Sequence, residues 1–255
     1  MADDAVREAG MPVIAMWAHP RALSTAFLRM MIARGDVTVV HEPLVTLVDE
    51  GHVELPAVDG GTVTVTDASE VVAHLRELGR DRTVFVKDTL EYRYEHLFAD
   101  PGAIADVTHT FIVRDPARTI SSHYAIKPTV TCPEIGYEHQ WELFDLVRRT
   151  AHRPPVVIRA EDLLRSPGET VSAWCEAVGL PFLPEALNWA PGERTEWQRT
   201  RKWHLDVERT SGFSPVEKSF EVTVANNDTL RSYHDHHQPF YQRLIRHAIC
   251  IGEDS

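Results

Sequence analysis

The residues best suited to chemistry are one arginine and two hydroxyls in a short loop near the start of the chain. The loop follows an apolar run at residues 13–18 and reads Pro20-Arg21-Ala22-Leu23-Ser24-Thr25. A strand that runs into a helix presents unpaired backbone N–H groups and a positive dipole end at one point. Arg21 adds a guanidinium there and Ser24 and Thr25 add hydroxyl donors, which favours binding of an anion. An ordinary strand–helix junction with a Ser/Thr cap stays open as the alternative.

The same loop differs from the ATP-binding phosphate loop Gly-x-x-x-x-Gly-Lys-Ser/Thr. It lacks both glycines and the lysine of that motif. This favours transfer of an anionic group without ATP and a metal ion.

A second strand–turn–helix occurs at residues 111–122. Arg114-Asp115-Pro116 is typical of a strand end followed by a helix start, because proline is tolerated at the first helical position and aspartate favours a helix N-terminus. Arg114 is therefore predicted at the carboxyl end of a strand, where open α/β sheets bind ligands. Ser122 follows two helical turns later and can share that face. Two anion sites on neighbouring strands suit a nucleotide that carries phosphates at both ends of its ribose.

With a third stretch, these motifs resemble the sulfotransferases that use 3′-phosphoadenylyl sulfate (PAPS). The third stretch is a strand, a Glu161-Asp162-Leu163 turn and a helix that ends in Gly179-Leu180-Pro181. The resemblance covers residues 13–182 in family order. It implies that the loop of Pro20, Arg21, Ala22, Leu23, Ser24 and Thr25 binds the 5′-phosphosulfate, with Arg21 where many members carry lysine. It also implies that Arg114 and Ser122 bind the 3′-phosphate.

The resemblance has further implications near the C-terminus and in the loop. A basic loop that closes over the 3′-phosphate would correspond to the run Arg199-Thr200-Arg201-Lys202, so Arg201 and Lys202 are assigned to the donor. That run lacks the glycine that often accompanies the family's loop. Many relatives stack an aromatic residue on adenine directly after the hydroxyl pair, but Ala26 stands there, so adenine stays unassigned.

Candidates for catalysis follow two other predicted strands. Related enzymes use a glutamate after the second strand or a histidine after the third as general base, and the third strand here ends in Lys87-Asp88 without a histidine. Glu42 is therefore the leading base, followed by Asp88 and His41. Because side chains alternate along a strand, His41 and Glu42 are expected to point in opposite directions. Lys87 and Arg21 are expected to neutralise charge on the sulfuryl group and the leaving phosphate; a lysine that reaches solvent is the alternative for Lys87.

The amino-acid composition restricts the kinds of binding partner that we expect. The net charge of −12 disfavours a nucleic-acid backbone or an anionic membrane. It leaves a small-molecule acceptor, neutral or cationic, as the expected partner, and a homodimer stays open. The three cysteines show no metal or redox spacing, and no signal-peptide or membrane-spanning pattern is visible, so we expect reduced thiols and a cytoplasmic protein.

Short Val/Ile-rich runs alternate with helical patterns along the chain. Strands are predicted at residues 13–18, 37–41, 83–87, 110–114 and 156–159, and helices at 24–34, 69–78, 118–125, 136–150 and 168–178. This alternation predicts a three-layer α/β fold with a central parallel sheet of about five strands flanked by helices, the P-loop-like architecture that the resemblance also implies. Residues 45–66 are expected to form an irregular excursion or a small hairpin. We expect one domain over residues 1–255, with a donor-binding core at about 13–182 and a C-terminal segment that contributes a lid or acceptor pocket.

Two clusters admit other interpretations. The spacing of His234-Asp235-His236-His237 is common in solvated loops, so no metal is predicted. Tryptophans 189, 197 and 203 either stack on adenine, wall the acceptor pocket or pack in the core. The leading hypothesis is a PAPS-dependent sulfotransferase that acts on a hydroxyl, less readily on an amine. A non-catalytic nucleotide-binding or assembly protein and a metal-dependent ATP phosphotransferase remain alternatives.

Overall fold

A computed structural model describes residues 12–194, 197, 203, 207–214 and 218–252. The strands are β1 (Val13–Ala18), β2 (Thr38–His41), β3 (Val53–Pro56), β4 (Thr62–Val65), β5 (Val84–Thr89), β6 (Thr108–Val113) and β7 (Val156–Arg159). Five of them form a parallel sheet in the order β2-β5-β1-β6-β7, while β3 and β4 form a separate antiparallel ribbon. Because β1 is central and β6 is its neighbour, the loops that follow them meet at one edge of the sheet.

The helices are α1 (Ser24–Arg34), α2 (Pro43–Glu50), α3 (Ala68–Leu78), α4 (Glu95–Ala99), α5 (Pro116–Ile126), α6 (Tyr137–Thr150), α7 (Ala160–Arg165), α8 (Pro167–Val178) and α9 (Asp228–Ile245). They cover both faces of the sheet.

The side chains of β1 alternate between two apolar cores. Ile14 and Met16 belong to the core beneath α1, α7 and α8, whereas Ala15 and Trp17 belong to the core beneath α3, α6 and α9. All six residues of β1 are buried. A strand buried on both faces reads as a continuous apolar run, which is why the sequence reveals it. Trp174 of α8 packs edge-on against Phe27 of α1, with 4.8 Å between ring centroids, and thereby holds the helix that follows the first loop.

The predicted fold class is confirmed, with shifts of one or two residues at several element ends. β5 extends through Asp88 and Thr89, beyond the predicted end at residue 87, and β6 ends at Val113, so Arg114 lies just past its strand. The predicted hairpin at residues 45–66 exists as the β3–β4 ribbon. Helix α2 was not predicted there, because eight residues between Pro43 and Gly51 give too short a periodic pattern.

The C-terminal part of the described chain contains the long helix α9. His234, His236 and His237 lie within it, so the expectation of a solvated loop is wrong. Pro239 inside the helix and a run of polar residues masked the helical pattern in the sequence. Within the described ranges, no helix combines the length and the apolar character needed to cross a bilayer.

Candidate functional site

A cavity of about 1350 Å³ lies at the carboxyl edge of the sheet. Residues that lie at or after the ends of all five sheet strands line it, as expected for an open α/β fold. Pro20, Arg21, Ala22, Leu23, Ser24 and Thr25 come from the loop after β1 and the start of α1, and Arg114 and Ser122 come from the segment after β6. Glu42 follows β2, and Lys87 lies in β5. The structure therefore brings together the loop and strand-end residues that the sequence singled out.

The loop after β1 has an unusual backbone. Arg21 and Leu23 both adopt left-handed conformations, with φ of 67° and 70°. Such a conformation costs a non-glycine residue roughly 1–2 kcal/mol. Leu23 is the N-cap of α1 and provides no side-chain hydrogen bond to the first turn. The start of α1 thus lies at the cavity wall, where the positive end of the helix dipole and the hydroxyls of Ser24 and Thr25 suit an anion.

The two predicted anion-binding segments contact each other directly. Arg21 Nε donates to Ser122 Oγ at 3.1 Å, and Arg114 Nη1 donates to the carbonyl oxygen of Arg21 at 3.2 Å. Burial lowers the pKa of Arg114 from its usual value, an effect that Glu161 opposes. Burial removes water from this guanidinium and so disfavours its charged form. A bound anion next to it would favour the charged form again.

The third sequence motif positions the second. Asp115 is the N-cap of α5 and accepts from the N–H of Arg118, while its own N–H donates to Glu161 Oε1 at 2.9 Å. Glu161 belongs to α7, which directly follows β7. The Glu-Asp-Leu turn therefore fixes the start of α5 and, with it, the strand end that carries Arg114.

Sequence reasoning missed two residues that hold the loop in place. His19 Nε2 accepts from the backbone N–H of Arg114 at 3.1 Å, and the His19 ring stacks on Tyr137 with 3.9 Å between centroids. Tyr137 in turn donates its hydroxyl to the carbonyl of Arg114 at 2.6 Å. Burial lowers the pKa of His19 to about 3, so the ring is neutral and can accept this bond. These partners are 95 or more residues from His19 in sequence, and no local pattern indicates them.

Glu42 and Lys87 form an ion pair at the cavity wall. Both residues are buried, at 6% and 1% exposure. Glu42 is the N-cap of α2 and has a φ of 47°, so the strand ends at His41 and the backbone turns left-handed. This turn directs the carboxylate at the strand end toward the lysine of the neighbouring strand, where it is buried and paired.

The expected opposition of His41 and Glu42 is wrong. His41 Nε2 lies 3.6 Å from Glu42 Oε1, so the two side chains approach each other. Alternation holds only along extended backbone, and the left-handed Glu42 interrupts it. His41 does not line the cavity, which leaves Glu42 as the better placed of the two.

The Asp88 side chain stabilises the local backbone and does not face the cavity. Its carboxylate accepts from the backbone N–H groups of Leu44 at 2.7 Å and Thr89 at 2.9 Å, and Tyr94 donates its hydroxyl at 3.2 Å. Burial raises the pKa of Asp88 to about 7, against the effect of the Leu44 N–H. The residue is 1% exposed and does not line the cavity. It holds the first turn of α2, and thereby Glu42, in place.

Two further carboxylates line the cavity and were not predicted. Glu91 follows the end of β5 by two residues, and Asp49 lies in α2, where it accepts from the hydroxyl of Tyr92 at 2.9 Å. Burial, together with the charges of Glu42 and Asp49, raises the pKa of Glu91 to about 7. The position of Glu91 just past a strand end was a usable signal in the sequence, whereas that of Asp49 depends on the unpredicted helix α2.

The three tryptophans and the basic run that the sequence singled out differ in their positions. Trp203 lines the cavity, and Arg21 Nη1 donates to its carbonyl at 2.7 Å. Trp189 and Trp197 are buried in the core beneath α1. Arg201 and Lys202, assigned to the donor from the sequence, lie outside the described residues, as do Arg199 and Thr200.

Comparison with known proteins agrees with this fold. A family model described as a sulfotransferase domain matches residues 11–248. The sulfotransferase domain of the Synechococcus PCC 7002 olefin synthase is 14% identical, with a TM-score of 0.59, over 89% of this chain and 94% of that one. The sulfotransferase domain from the curacin biosynthetic pathway is also 14% identical, with a TM-score of 0.52, over 93% and 97% of the two chains. These two likenesses show the fold.

A curated relative matches most of this chain but is much longer. The branched-chain-amino-acid aminotransferase-like protein 2 of Arabidopsis thaliana is 26% identical over 215 residues, which are 82% of this chain and 37% of that protein. The chain thus spans little more than a third of the length of this relative. The fold and site define an α/β protein with an arginine-lined cavity at the carboxyl edge of its sheet. By the family match over most of its length, the chain belongs to the sulfotransferase domain family.

Proposed function

We propose that this protein transfers a sulfuryl group from PAPS to a hydroxyl of a small-molecule acceptor, with Glu42 as the general base. One observation carries the proposal: Arg21 and Arg114 contact each other and line a cavity that the Glu42–Lys87 pair also lines. An anion-binding end and a buried carboxylate in one cavity are what group transfer to a hydroxyl requires.

The residues at the donor end suit a nucleotide with two phosphate positions. Arg21, Ser24 and Thr25 at the start of α1 would hold the 5′-phosphosulfate, and Arg114 and Ser122 the 3′-phosphate. When bound, PAPS supplies an activated sulfuryl group, and 3′,5′-adenosine bisphosphate (PAP) is the product. Guanidinium groups and hydroxyls bind phosphate without a metal ion, so no metal is assigned to this end.

The protein's own groups supply charge stabilisation and a proton acceptor. Arg21 and the N-terminus of α1 stabilise negative charge on the leaving phosphate. Glu42, which is paired with Lys87, takes the proton of the acceptor hydroxyl, a role typically worth about 10²–10⁴ in rate. Lys87 orients Glu42 and offers its ammonium to the sulfuryl oxygens.

Charge in the cavity favours an acceptor that is neutral or cationic. Glu42, Asp49 and Glu91 line it next to β2 and β5, whereas Arg21 and Arg114 follow β1 and β6. An acceptor with its own carboxylate or phosphate would be repelled there.

Thermal unfolding with added nucleotides tests the donor assignment. The wild-type protein is heated alone, with PAP, and with ATP plus Mg²⁺, together with Arg114→Ala. A ligand at 100 times its dissociation constant adds about 2.7 kcal/mol of stability, enough for a shift of several degrees. We expect PAP alone to raise the midpoint in the wild type and to have little effect on Arg114→Ala.

The matched control is Arg148→Ala, which removes an arginine from an exposed face of α6. It should respond to PAP as the wild type does. A shift with ATP and Mg²⁺ but not with PAP would contradict the proposal and favour an ATP phosphotransferase. Binding of PAP without transfer from labelled PAPS to a panel of alcohols, phenols and amines would favour a non-catalytic nucleotide-binding protein.

A further inference from the structure

Cys132, His236 and His237 lie together on the side of the molecule where helix α9 crosses the loop between α5 and α6. None of the three lines the cavity. Their potential ligand atoms all lie within 4.8 Å of one another. We propose that these three residues form a structural binding site for a thiophilic divalent metal ion, Zn²⁺, independent of the donor and acceptor sites.

The distances support a tetrahedral metal centre. Cys132 Sγ lies 3.6 Å from His237 Nε2. A zinc ion with its usual bonds of 2.3 Å to sulfur and 2.0–2.1 Å to nitrogen separates these atoms by about 3.5 Å. The ligand nitrogen of His236 lies within 4.8 Å of the other two ligand atoms and must move inward to complete the set. His236 is exposed on α9, so its side chain has room to rotate and solvent can fill the fourth position.

A second interaction has the form found around metal-bound histidines. His236 Nε2 lies 2.9 Å from Glu138 Oε2. Metal-binding histidines almost always donate their other ring N–H to a carboxylate or carbonyl, which fixes the tautomer. With Nε2 committed to Glu138, the Nδ1 lone pair of His236 is the one available to a metal.

Metal binding at this site exchanges a thiol proton and one hydrogen bond for metal–ligand bonds. Binding forms one metal–thiolate and two metal–imidazole bonds and releases the thiol proton to solvent. His237 Nε2 donates its proton to the carbonyl oxygen of Cys132 at 2.7 Å, so this hydrogen bond is lost on binding and the ring proton moves, through solvent, to Nδ1.

The consequence of such a site is local rigidity next to the cavity. Lys127 and Thr129 precede Cys132 in the same loop and line the cavity, and the metal would fasten this loop to α9. Zn²⁺ is favoured over Mg²⁺ and Ca²⁺ because thiolate and imidazole are soft and borderline ligands.

Cobalt substitution tests the proposal. Tag-free full-length protein is stripped with a chelator and titrated with Co²⁺, whose bond to a thiolate gives a charge-transfer band in the near ultraviolet. We expect this band to saturate at one equivalent, to disappear on addition of Zn²⁺, and to be absent in Cys132→Ser. In His236→Ala, which changes an exposed side chain, we expect at least a tenfold weaker apparent affinity. We also expect Zn²⁺ to raise the unfolding midpoint of the wild type but not that of Cys132→Ser.

The matched controls are His234→Ala on the same helix and Cys250→Ser, which removes the exposed thiol. Both should bind Co²⁺ as the wild type does. Loss of the band in Cys250→Ser, an unchanged affinity in His236→Ala, or no thiolate band in the wild type would each overturn the proposal. The last result would leave a thiol–imidazole hydrogen bond as the whole role of Cys132 and His237.

Discussion

At the residue scale, backbone strain coincides with the candidate site. In the part of the chain that the structure describes, three non-glycine residues have positive φ: Arg21, Leu23 and Glu42. All three line the cavity. Left-handed backbone at non-glycine positions persists only where the surrounding structure over-determines it, and such positions cluster at functional sites. Here the strain aims one guanidinium and one carboxylate into the same cavity.

The role of Glu42 is tested by Glu42→Gln. The amide keeps the size of the side chain but cannot accept a proton, so we expect kcat for transfer from labelled PAPS to fall by about 10²–10⁴. PAP affinity, measured by calorimetry, should change little, because the donor end does not contain Glu42. Glu185→Gln, on the surface, is the control and should retain activity. If Glu42→Gln stays active while Glu91→Gln does not, the base is Glu91.

At the scale of elements, one glycine allows the start of α6 to pack closely against the loop at residues 20–25. Gly136 has a φ of 88°, and a Cβ there would lie 2.7 Å from the carbonyl oxygen of Leu90 and 3.2 Å from Pro20 Cδ. The first distance is a collision with backbone, which cannot rotate away. The second neighbour begins the loop that carries Arg21. Close packing at this junction therefore depends on the absence of a side chain.

We expect Gly136→Ala to lower the free energy of unfolding by at least 1–3 kcal/mol, since it combines a left-handed φ with a backbone collision. PAP affinity should fall as well, because Pro20 must shift. The comparison is Gly168→Ala in α8, where the new Cβ meets only Leu187 Cδ1 at 3.9 Å. That variant should be neutral or more stable by up to about 1 kcal/mol. Urea unfolding measures the free energy of unfolding of both variants. Equal values for Gly136→Ala and Gly168→Ala would refute the packing argument.

At the scale of the whole molecule, buried histidines couple folding to pH. Burial lowers the pKa of His19 to about 3 and those of His109, His123 and His237 to about 4. In the unfolded chain these groups titrate near 6.5. The unfolded state therefore binds more protons below that pH, and stability falls as pH decreases from about 6.5 toward 4. Asp88 and Glu91 act in the opposite direction, because their folded pKa values near 7 exceed the unfolded ones.

The four histidines outnumber the two carboxyls, so we expect the wild type to lose stability on acidification below pH 6.5. His109→Gln isolates one contribution. His109 accepts from Trp17 Nε1 at 2.9 Å, far from the cavity, and its replacement removes one titrating group. The slope of unfolding free energy against pH should become shallower by up to about 1.4 kcal/mol per pH unit. Urea midpoints measured between pH 7 and 4.5 test this, and an unchanged slope would show that His109 does not contribute.

The sequence by itself determined the parallel sheet and the loop at residues 20–25 that follows β1. Buried parallel strands and helix starts leave local signatures: continuous Val/Ile runs, Arg-Asp-Pro at a strand end, and hydroxyls at the start of α1. These features depend on neighbours within a few residues, so Arg21, Arg114 and Ser122 could be placed at one edge of the sheet from spacing alone. The family match supports the fold that these signals predict.

Only the tertiary structure decided how the other groups meet. The Glu42–Lys87 pair joins residues 45 apart, His19 meets the Arg114 backbone 95 positions away, and Cys132 meets His237 across 105. The left-handed turn at Glu42 brought His41 beside it, against the alternation expected from the sequence. Contacts of this kind depend on strand order, helix docking and local φ. No short window of residues encodes those, because they are fixed by the packing of the whole chain.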